Sequence, residues 1–146
     1  MSQSSPRKDR PDIESNLPIT ILWDKVLMLP LVGVIDSARS QLIMETMLEE
    51  IKATNARVTI MDIMGVAAVD SAVANHLVKI SQAVRLMGCE GIVSGMSPAV
   101  AQTIVQLAIP LGNMITTVTL KDALVKALDI LGLEVTLKDK SRPARV

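Results

Sequence analysis

The residues best suited to chemistry in this 146-residue sequence lie in the segment from Asp62 to Ser71. The two aspartates of this segment are Asp62 and Asp70, and Ser71 directly follows Asp70. Asp62 ends an apolar run, and Ser71 begins a stretch with helical periodicity. A serine at the start of a helix lies beside free backbone N–H groups and the positive end of the helix dipole, which would stabilise a phosphate on its hydroxyl. The pattern predicts either a phosphorylated Ser71 or an ordinary helix start at which Asp70 and Ser71 serve as capping residues.

A hydrolytic site built from Ser71, His76 and Asp70 is disfavoured by their spacing. Asp70 and Ser71 are adjacent, and His76 follows five residues later, about 500° around a helix. This arrangement does not connect a base to a nucleophile, and the sequence contains no G-x-S-x-G elbow. Neither G-x-x-x-x-G-K nor G-x-G-x-x-G occurs, so a phosphate-binding loop is unsupported. We therefore expect a protein that is not an enzyme, with His76 as a partly exposed helical residue.

Metal and cofactor sites find no support in the cysteine and histidine content. The single Cys89 cannot form a disulfide within the chain, and with the single His76 it falls short of the ligands of a common zinc site. Cys89 has no neighbouring base, so it is expected to be a small buried apolar residue. We expect no metal and no cofactor.

The composition argues against nucleic-acid and membrane partners. Fifteen Lys and Arg residues balance fifteen Asp and Glu residues, and Trp23 is the one aromatic side chain. A nucleic-acid-binding protein would show a basic excess and aromatic stacking platforms. No run reaches the ~18 consecutive apolar residues of a membrane span, and the N-terminal segment lacks the apolar core of a signal peptide. The expectation is a soluble, cytoplasmic protein.

The hydrophobic pattern predicts an α/β domain. Two apolar runs, 19–23 and 26–35, are joined across Asp24 and Lys25 as a hairpin, with Pro30 and Gly33 indicating a bend or bulge near an edge. After them helical and extended patterns alternate, which favours parallel later strands. The predicted helices are 37–52, 70–87, 97–108 and 119–131, and the predicted strands are 58–63, 89–94, 114–115 and a short one at 134–138.

The predicted domain covers residues 17–132. Residues 1–16 are polar and are expected to form a flexible tail, and 133–146 form a basic C-terminal tail. The helix at 70–87 should bury one stripe against the core. The expected members of that stripe are Val73, Leu77, Ile80, Val84 and either Leu86 or Met87.

Three sequence segments, DIMGVAAVDS, AVRLMGC and GMSPAVAQTIVQL, resemble the STAS domain, the fold of anti-sigma-factor antagonists. The similarity covers about residues 18–131 and is closest to the RsbR and RsbS types of bacterial stressosomes. It implies a mixed sheet of four to five strands with an N-terminal antiparallel hairpin and about four helices. It also implies that Ser71 is the primary phosphoacceptor, that Thr103 lies in the region of a second acceptor, and that Asp62 and Asp70 flank the phosphorylation loop. The alternative for Thr103 is a helical threonine bonded to its own preceding turn.

The resemblance implies a non-enzymatic scaffold that sequesters a serine/threonine switch kinase, releases it on phosphorylation and regulates a stress response. Other STAS proteins would be its partners in a large homo- or hetero-oligomer. A simple anti-sigma-factor antagonist binding one kinase and a small-ligand-binding STAS module are the alternatives. Two features depart from the family. Met64 stands where a small hydroxyl residue is frequent, and about 16 polar residues replace the N-terminal sensory domain usual in RsbR proteins, which favours a scaffold without a sensor or a chain cut from a longer one.

The segment 91–120 contains no Asp, Glu, Lys or Arg. Its predicted helix, 97–108, offers Gln102, Thr103 and Gln106 as polar residues and no ion, whereas a solvent-facing helix usually carries charges. We expect this helix either to pack on neighbouring STAS domains or the kinase, or to be well covered by its own chain.

Overall fold

The predicted hairpin opens the domain in the computed structural model, which describes residues 17–139. Strands β1 (Thr20–Trp23) and β2 (Val26–Gly33) pair antiparallel. Lys25 takes a φ of 68° in the two-residue turn between them, as tight hairpins require at such a position. The turn therefore lies where the sequence predicts it.

Alternating helices and strands follow the hairpin, as expected. The sheet runs in the order β1-β2-β3-β4-β5, with β2 to β5 parallel and β1 antiparallel at one edge. This mixed five-stranded sheet and the four helices described in residues 17–139 confirm the predicted fold class. The remaining elements are α1 (Ser37–Thr54), β3 (Val58–Val66), α2 (Ser71–Leu86), β4 (Glu90–Ser94), α3 (Pro98–Gln106), β5 (Ile115–Thr116) and α4 (Leu120–Ile130).

Alternation along the strands divides the core into two layers. Neighbouring side chains on a strand point to opposite faces, so Leu27, Leu29 and Leu31 of β2 face α1 and α2. Val26 faces the opposite side, where α4 packs through Ala123 and Ala127. The two small alanines let α4 lie close to the sheet.

Each of the four helices follows the carboxyl end of a parallel strand, so all four begin on the same side of the sheet, where these strands end. We call this side the carboxyl edge of the sheet. Each is preceded by a residue whose side-chain oxygen accepts a backbone N–H of the first turn, the usual N-cap arrangement. The four caps are Asp36, Asp70, Ser97 and Thr119.

Strand β3 is longer than predicted, running through Val66 instead of ending at residue 63. Its pairing with β2 resumes after an irregularity between Pro30 and Val32, with Val32 opposite Gly65. A Cβ on Gly65 would lie 2.6 Å from Cγ1 of Val32, so only glycine permits this close approach. Residues predicted as loop are therefore fixed to β2.

The end of the buried α2 stripe was predicted wrongly. Val73, Leu77, Ile80 and Val84 are buried as expected, but Leu86 is 89% exposed and Met87 44% exposed. The helix ends at Leu86, and Gly88 with a φ of 79° turns the chain away. Leu86 and Met87 therefore lie beyond the reach of the sheet.

The short strand predicted at 134–138 does not form. Residues 133–139 have no regular structure and are exposed, and Leu137 is 99% exposed. Apolar and polar residues alternate in this segment, as they do in a half-buried strand. No layer of the domain covers it, however, so a strand there would bury no apolar side chain. The tail predicted at 1–16 and the end of the basic tail, 140–146, lie outside the described residues.

Candidate functional site

Ser71 is the first residue of α2 and is exposed. The helix start is held by Asp70, whose Oδ1 accepts the Val73 N–H at 2.9 Å and whose carbonyl accepts the Ala74 N–H at 3.0 Å. The capping oxygen therefore comes from Asp70 and not from Ser71. The Ser71 hydroxyl lies at the positive end of the helix dipole, where a phosphate would be stabilised.

Asp62 forms a different kind of hydrogen bond from Asp70, because its partner lies on a neighbouring strand and not in a helix. It lies half-buried on β3, and its Oδ1 accepts a 2.8 Å hydrogen bond from the hydroxyl of Ser94, a fully buried residue at the end of β4. The bond joins the carboxyl ends of the two strands that precede α2 and α3. Asp62 thus joins the ends of β3 and β4, and Asp70 caps the start of α2.

Gly95, directly after Ser94, packs closely against the same part of β3. Its φ is +86°, and a Cβ there would lie 2.6 Å from the Met64 backbone nitrogen and 2.8 Å from Asp62 Oδ1. Both the backbone conformation and the lack of space demand glycine. Sequence reasoning missed Ser94 and Gly95, although a Ser-Gly pair at the end of a predicted strand was visible.

The loop between β3 and α2 is also tied to β2. The Ala67 N–H donates to the Gly33 carbonyl at 2.8 Å. The Arg39 guanidinium donates to the carbonyls of Val32 and Val34, the latter at 2.9 Å. This cation therefore holds the connection after β2 in place.

Exposed apolar side chains occupy the edge at which Ser71 lies. Val34 after β2 is 71% exposed, Met64 near the end of β3 is 70% exposed, and Val118 after β5 is 64% exposed. Two of them lie in connections that follow a strand, and Met64 lies within β3 itself. We call Val34, Met64 and Val118 the apolar rim; it is a surface suited to contact with a protein partner.

Thr103 lies elsewhere in its helix than Ser71 does. It is the sixth residue of α3, half-buried, and its hydroxyl donates to the Ala99 carbonyl at 3.0 Å. This is the bond to the preceding turn that the sequence left open as an alternative. The helix dipole favours a negative charge only within the first turn of a helix. A phosphate on Thr103 would therefore lack the stabilisation that the helix N-terminus gives at Ser71.

The other reactive side chains do not join this site. Cys89 is buried, and burial, together with the neighbouring Glu90 charge, raises the pKa of its thiol to about 12. His76 is half-buried in the middle of α2. Within residues 17–139, no group of three or more His, Cys, Asp and Glu residues could hold a metal ion. None of the helices described there is long and apolar enough to cross a bilayer.

Comparison with known proteins agrees with this architecture. The chain is 38% identical over 117 residues to the RsbT co-antagonist protein RsbRA of Bacillus subtilis, covering 80% of this chain and 43% of that protein. It therefore spans less than half the length of this curated relative.

Solved structures of related proteins share the fold of this chain. A variant of RsbS from Moorella thermoacetica has a TM-score of 0.68 at 25% identity, covering 82% of this chain and all of that one. A chain from a structure titled as the molecular architecture of the stressosome has a TM-score of 0.61 at 26% identity, covering 78% and 98%. The family model described as the STAS domain matches residues 19–134. The chain belongs to the STAS domain family.

Proposed function

We propose that this chain is a non-enzymatic scaffold of a stressosome that holds a serine/threonine switch kinase and releases it when Ser71 is phosphorylated, regulating a stress response. The observation that carries the proposal is the exposed Ser71 hydroxyl at a helix start whose cap is supplied by Asp70. Homology to an RsbT co-antagonist supports the kinase as a partner. Likeness to a stressosome chain supports the assembly.

Phosphorylation would change the docking surface without unfolding the domain. A phosphate adds about −1.5 to −2 charge and strongly hydrated oxygens. At Ser71 this charge meets the N-terminus of α2, which tolerates it, so the helix stays intact. The same charge brings water to an edge that presents the apolar rim. A packed kinase contact at that edge is therefore weakened while the fold persists.

Phosphate mapping tests the assignment, and the chain offers an internal control. Asp36 and Ser37 repeat the arrangement of Asp70 and Ser71, because Asp36 caps α1 by accepting the Arg39 N–H at 2.8 Å and Ser37 is its exposed first residue. The protein is incubated with RsbT and ATP, and phosphate is located by mass spectrometry. Ser71→Ala should lose the main phosphate, whereas Ser37→Ala should keep it. Phosphate found only outside Ser71 and Thr103 contradicts the proposal.

Thr103 is proposed as a second acceptor that is modified less readily. To react, its hydroxyl must give up the 3.0 Å bond to Ala99 and emerge from a half-buried position. In the same mass spectra, phosphate on Thr103 should accumulate more slowly than phosphate on Ser71.

Assembly with other STAS domains is proposed to use α3 and its surroundings. Residues 91–120 carry no charged side chain, yet Val105 is 77% exposed and Leu107 at the end of α3 is 50% exposed. Exposed apolar side chains without nearby ions favour a protein contact. A simple antagonist that binds one kinase would sediment as a monomer or dimer, so sedimentation velocity separates it from a scaffold that forms a large particle.

A further inference from the structure

The outer face of α3 differs from the outer faces of the other helices in residues 17–139. Helices α1, α2 and α4 each carry at least two charged residues, whereas α3 carries none. On its inner side Val100 packs against the core and Ile104 is buried. Four exposed residues form a continuous patch on its outer side, which we call the α3 face: Ala101, Gln102, Val105 and Gln106.

The α3 face consists of two ridges with a groove between them. Ala101 and Val105 are four residues apart, as are Gln102 and Gln106, so each pair lies in a row along the helix. The four side chains line a shallow hollow of about 390 Å³. A groove between two such rows receives a ridge of another helix in the commonest class of helix packing. The shape therefore suits contact with a second helix.

The absence of charge favours a second copy of the same face as the occupant. Across a two-fold axis the same surface patch meets itself, so a lysine or glutamate there would lie near a like charge. A carboxamide both donates and accepts hydrogen bonds, so Gln102 and Gln106 can pair with the same residues of a second copy. A different partner would be selected by complementary charges, and α3 offers none.

We propose that two copies of this chain pair through their α3 faces, with the two helices antiparallel about a two-fold axis. In this arrangement Ala101 lies opposite Val105 of the second copy, so a small side chain receives a larger one, and Gln102 lies opposite Gln106. A parallel arrangement would instead place Val105 against Val105. The inference rests on the proposed assembly of STAS domains, but it does not require phosphorylation of Ser71.

The symmetry and the size of this contact set what it can build. A two-fold contact closes on itself, so α3 yields pairs, and a larger particle needs a second surface on each chain. The contact is one crossing of two nine-residue helices. Interfaces below about 1,200 Å² belong to weak complexes, so we expect the isolated chain to pair only at high concentration.

Two double variants test the contact by sedimentation velocity over a concentration series. The lysine variant carries Gln102→Lys and Gln106→Lys, and the glutamate variant carries Gln102→Glu and Gln106→Glu. The parent chain should reach the sedimentation coefficient of a dimer, whereas each variant alone should stay monomeric because like charges meet. An equimolar mixture of the two variants should pair again, since each new lysine then faces a glutamate.

The matched control is Gln41→Lys with Gln82→Lys, which adds the same charge to exposed positions of α1 and α2. It should pair as the parent chain does. All these positions are exposed, so the melting temperatures should stay close to that of the parent chain.

Four outcomes overturn the proposal: a parent chain that is monomeric at every concentration, a lysine or glutamate variant that pairs alone, a control that fails to pair, and a mixture that stays monomeric. Pull-down with RsbT separates this proposal from the kinase switch, because the lysine variant should capture the kinase as the parent does. Loss of capture together with a monomeric parent chain would assign the α3 face to the kinase and not to a second copy.

Discussion

The hydroxyl of Ser94 donates a 2.8 Å hydrogen bond to Oδ1 of Asp62, and this bond ties the carboxyl end of β4 to that of β3. Both strands lead into helices that begin at the edge where Ser71 lies. The bond is sheltered because Ser94 is fully buried. Asp62 therefore fixes the ends of these two strands relative to each other.

Ser94→Ala should lower the free energy of unfolding by about 1.5–3 kcal/mol, the usual range for a hydrogen bond to a charged group. Urea denaturation measures the change. Asp62→Asn is the control, because its amide oxygen can still accept the Ser94 hydroxyl, and its cost should be smaller. A Ser94→Ala protein as stable as the parent would show that the bond does not hold the two strands together.

Gly95→Ala should be more destabilising than Gly112→Ala. Both glycines have positive φ, +86° and +60°, so each alanine pays a conformational cost of about 1–2 kcal/mol. At Gly95 the new Cβ would also lie 2.6 Å from the Met64 nitrogen, whereas at Gly112 nothing lies within 4 Å. Chemical denaturation of both variants checks the order, and equal losses would contradict the steric argument.

Ser71→Asp should weaken capture of the kinase, and Ser71→Ala should retain it, because the carboxylate imitates part of the charge of a phosphate. Pull-down with RsbT measures the retained fraction. Ser37→Asp places the same charge at the start of α1, at the same end of the sheet. A smaller loss of kinase capture in that variant would show that the effect belongs to position 71 and not to any charge at this end. Equal kinase binding by Ser71→Asp and Ser71→Ala removes Ser71 from the switch.

Cys89 should resist thiol reagents at pH 8 in the folded protein and react once urea unfolds the chain. Burial, then the Glu90 charge, raises the pKa of this thiol from 9.0 to about 12, so little reactive thiolate is present. Colorimetric thiol titration across a urea series checks this. Rapid modification under native conditions, without loss of structure, would contradict the burial of Cys89.

The same thiol predicts a pH dependence of stability. Above pH 9 the unfolded chain releases the Cys89 proton while the folded chain keeps it, so the folded state binds more protons. The contribution of this group is therefore constant below about pH 9, and the free energy of unfolding then falls until about pH 12. Cys89→Val should remove this part of the slope in denaturation series at pH 8 to 10.

Val105→Lys should reduce self-association, because a buried contact on α3 would then have to accept an ion without a partner. Leu137→Lys is the control, since Leu137 is also exposed but lies in the irregular segment after α4. Sedimentation velocity over a concentration series measures both. If the parent chain stays monomeric at every concentration, α3 is not a self-association surface.

The sequence alone determined the order of the elements and the start of the helix at the site. Local signals suffice for these features: the apolar period changes from strand to helix at residue 37, and Asp70 directly precedes the helical stripe. The STAS resemblance also depends on short contiguous segments, so it needed no coordinates. These features arise from neighbours in the chain, which a sequence displays directly.

Only the tertiary structure decided which distant residues meet at the carboxyl ends of β3 and β4 and which apolar residues stay exposed to water. The Asp62–Ser94 bond joins residues 32 positions apart, and Gly95 becomes necessary only because Met64 lies against it. The exposure of Leu86 and the missing strand at 134–138 depend on where the sheet and its covering layers end. Periodicity reports which side chains share a face, but burial requires a second surface, and that surface exists only after distant segments pack.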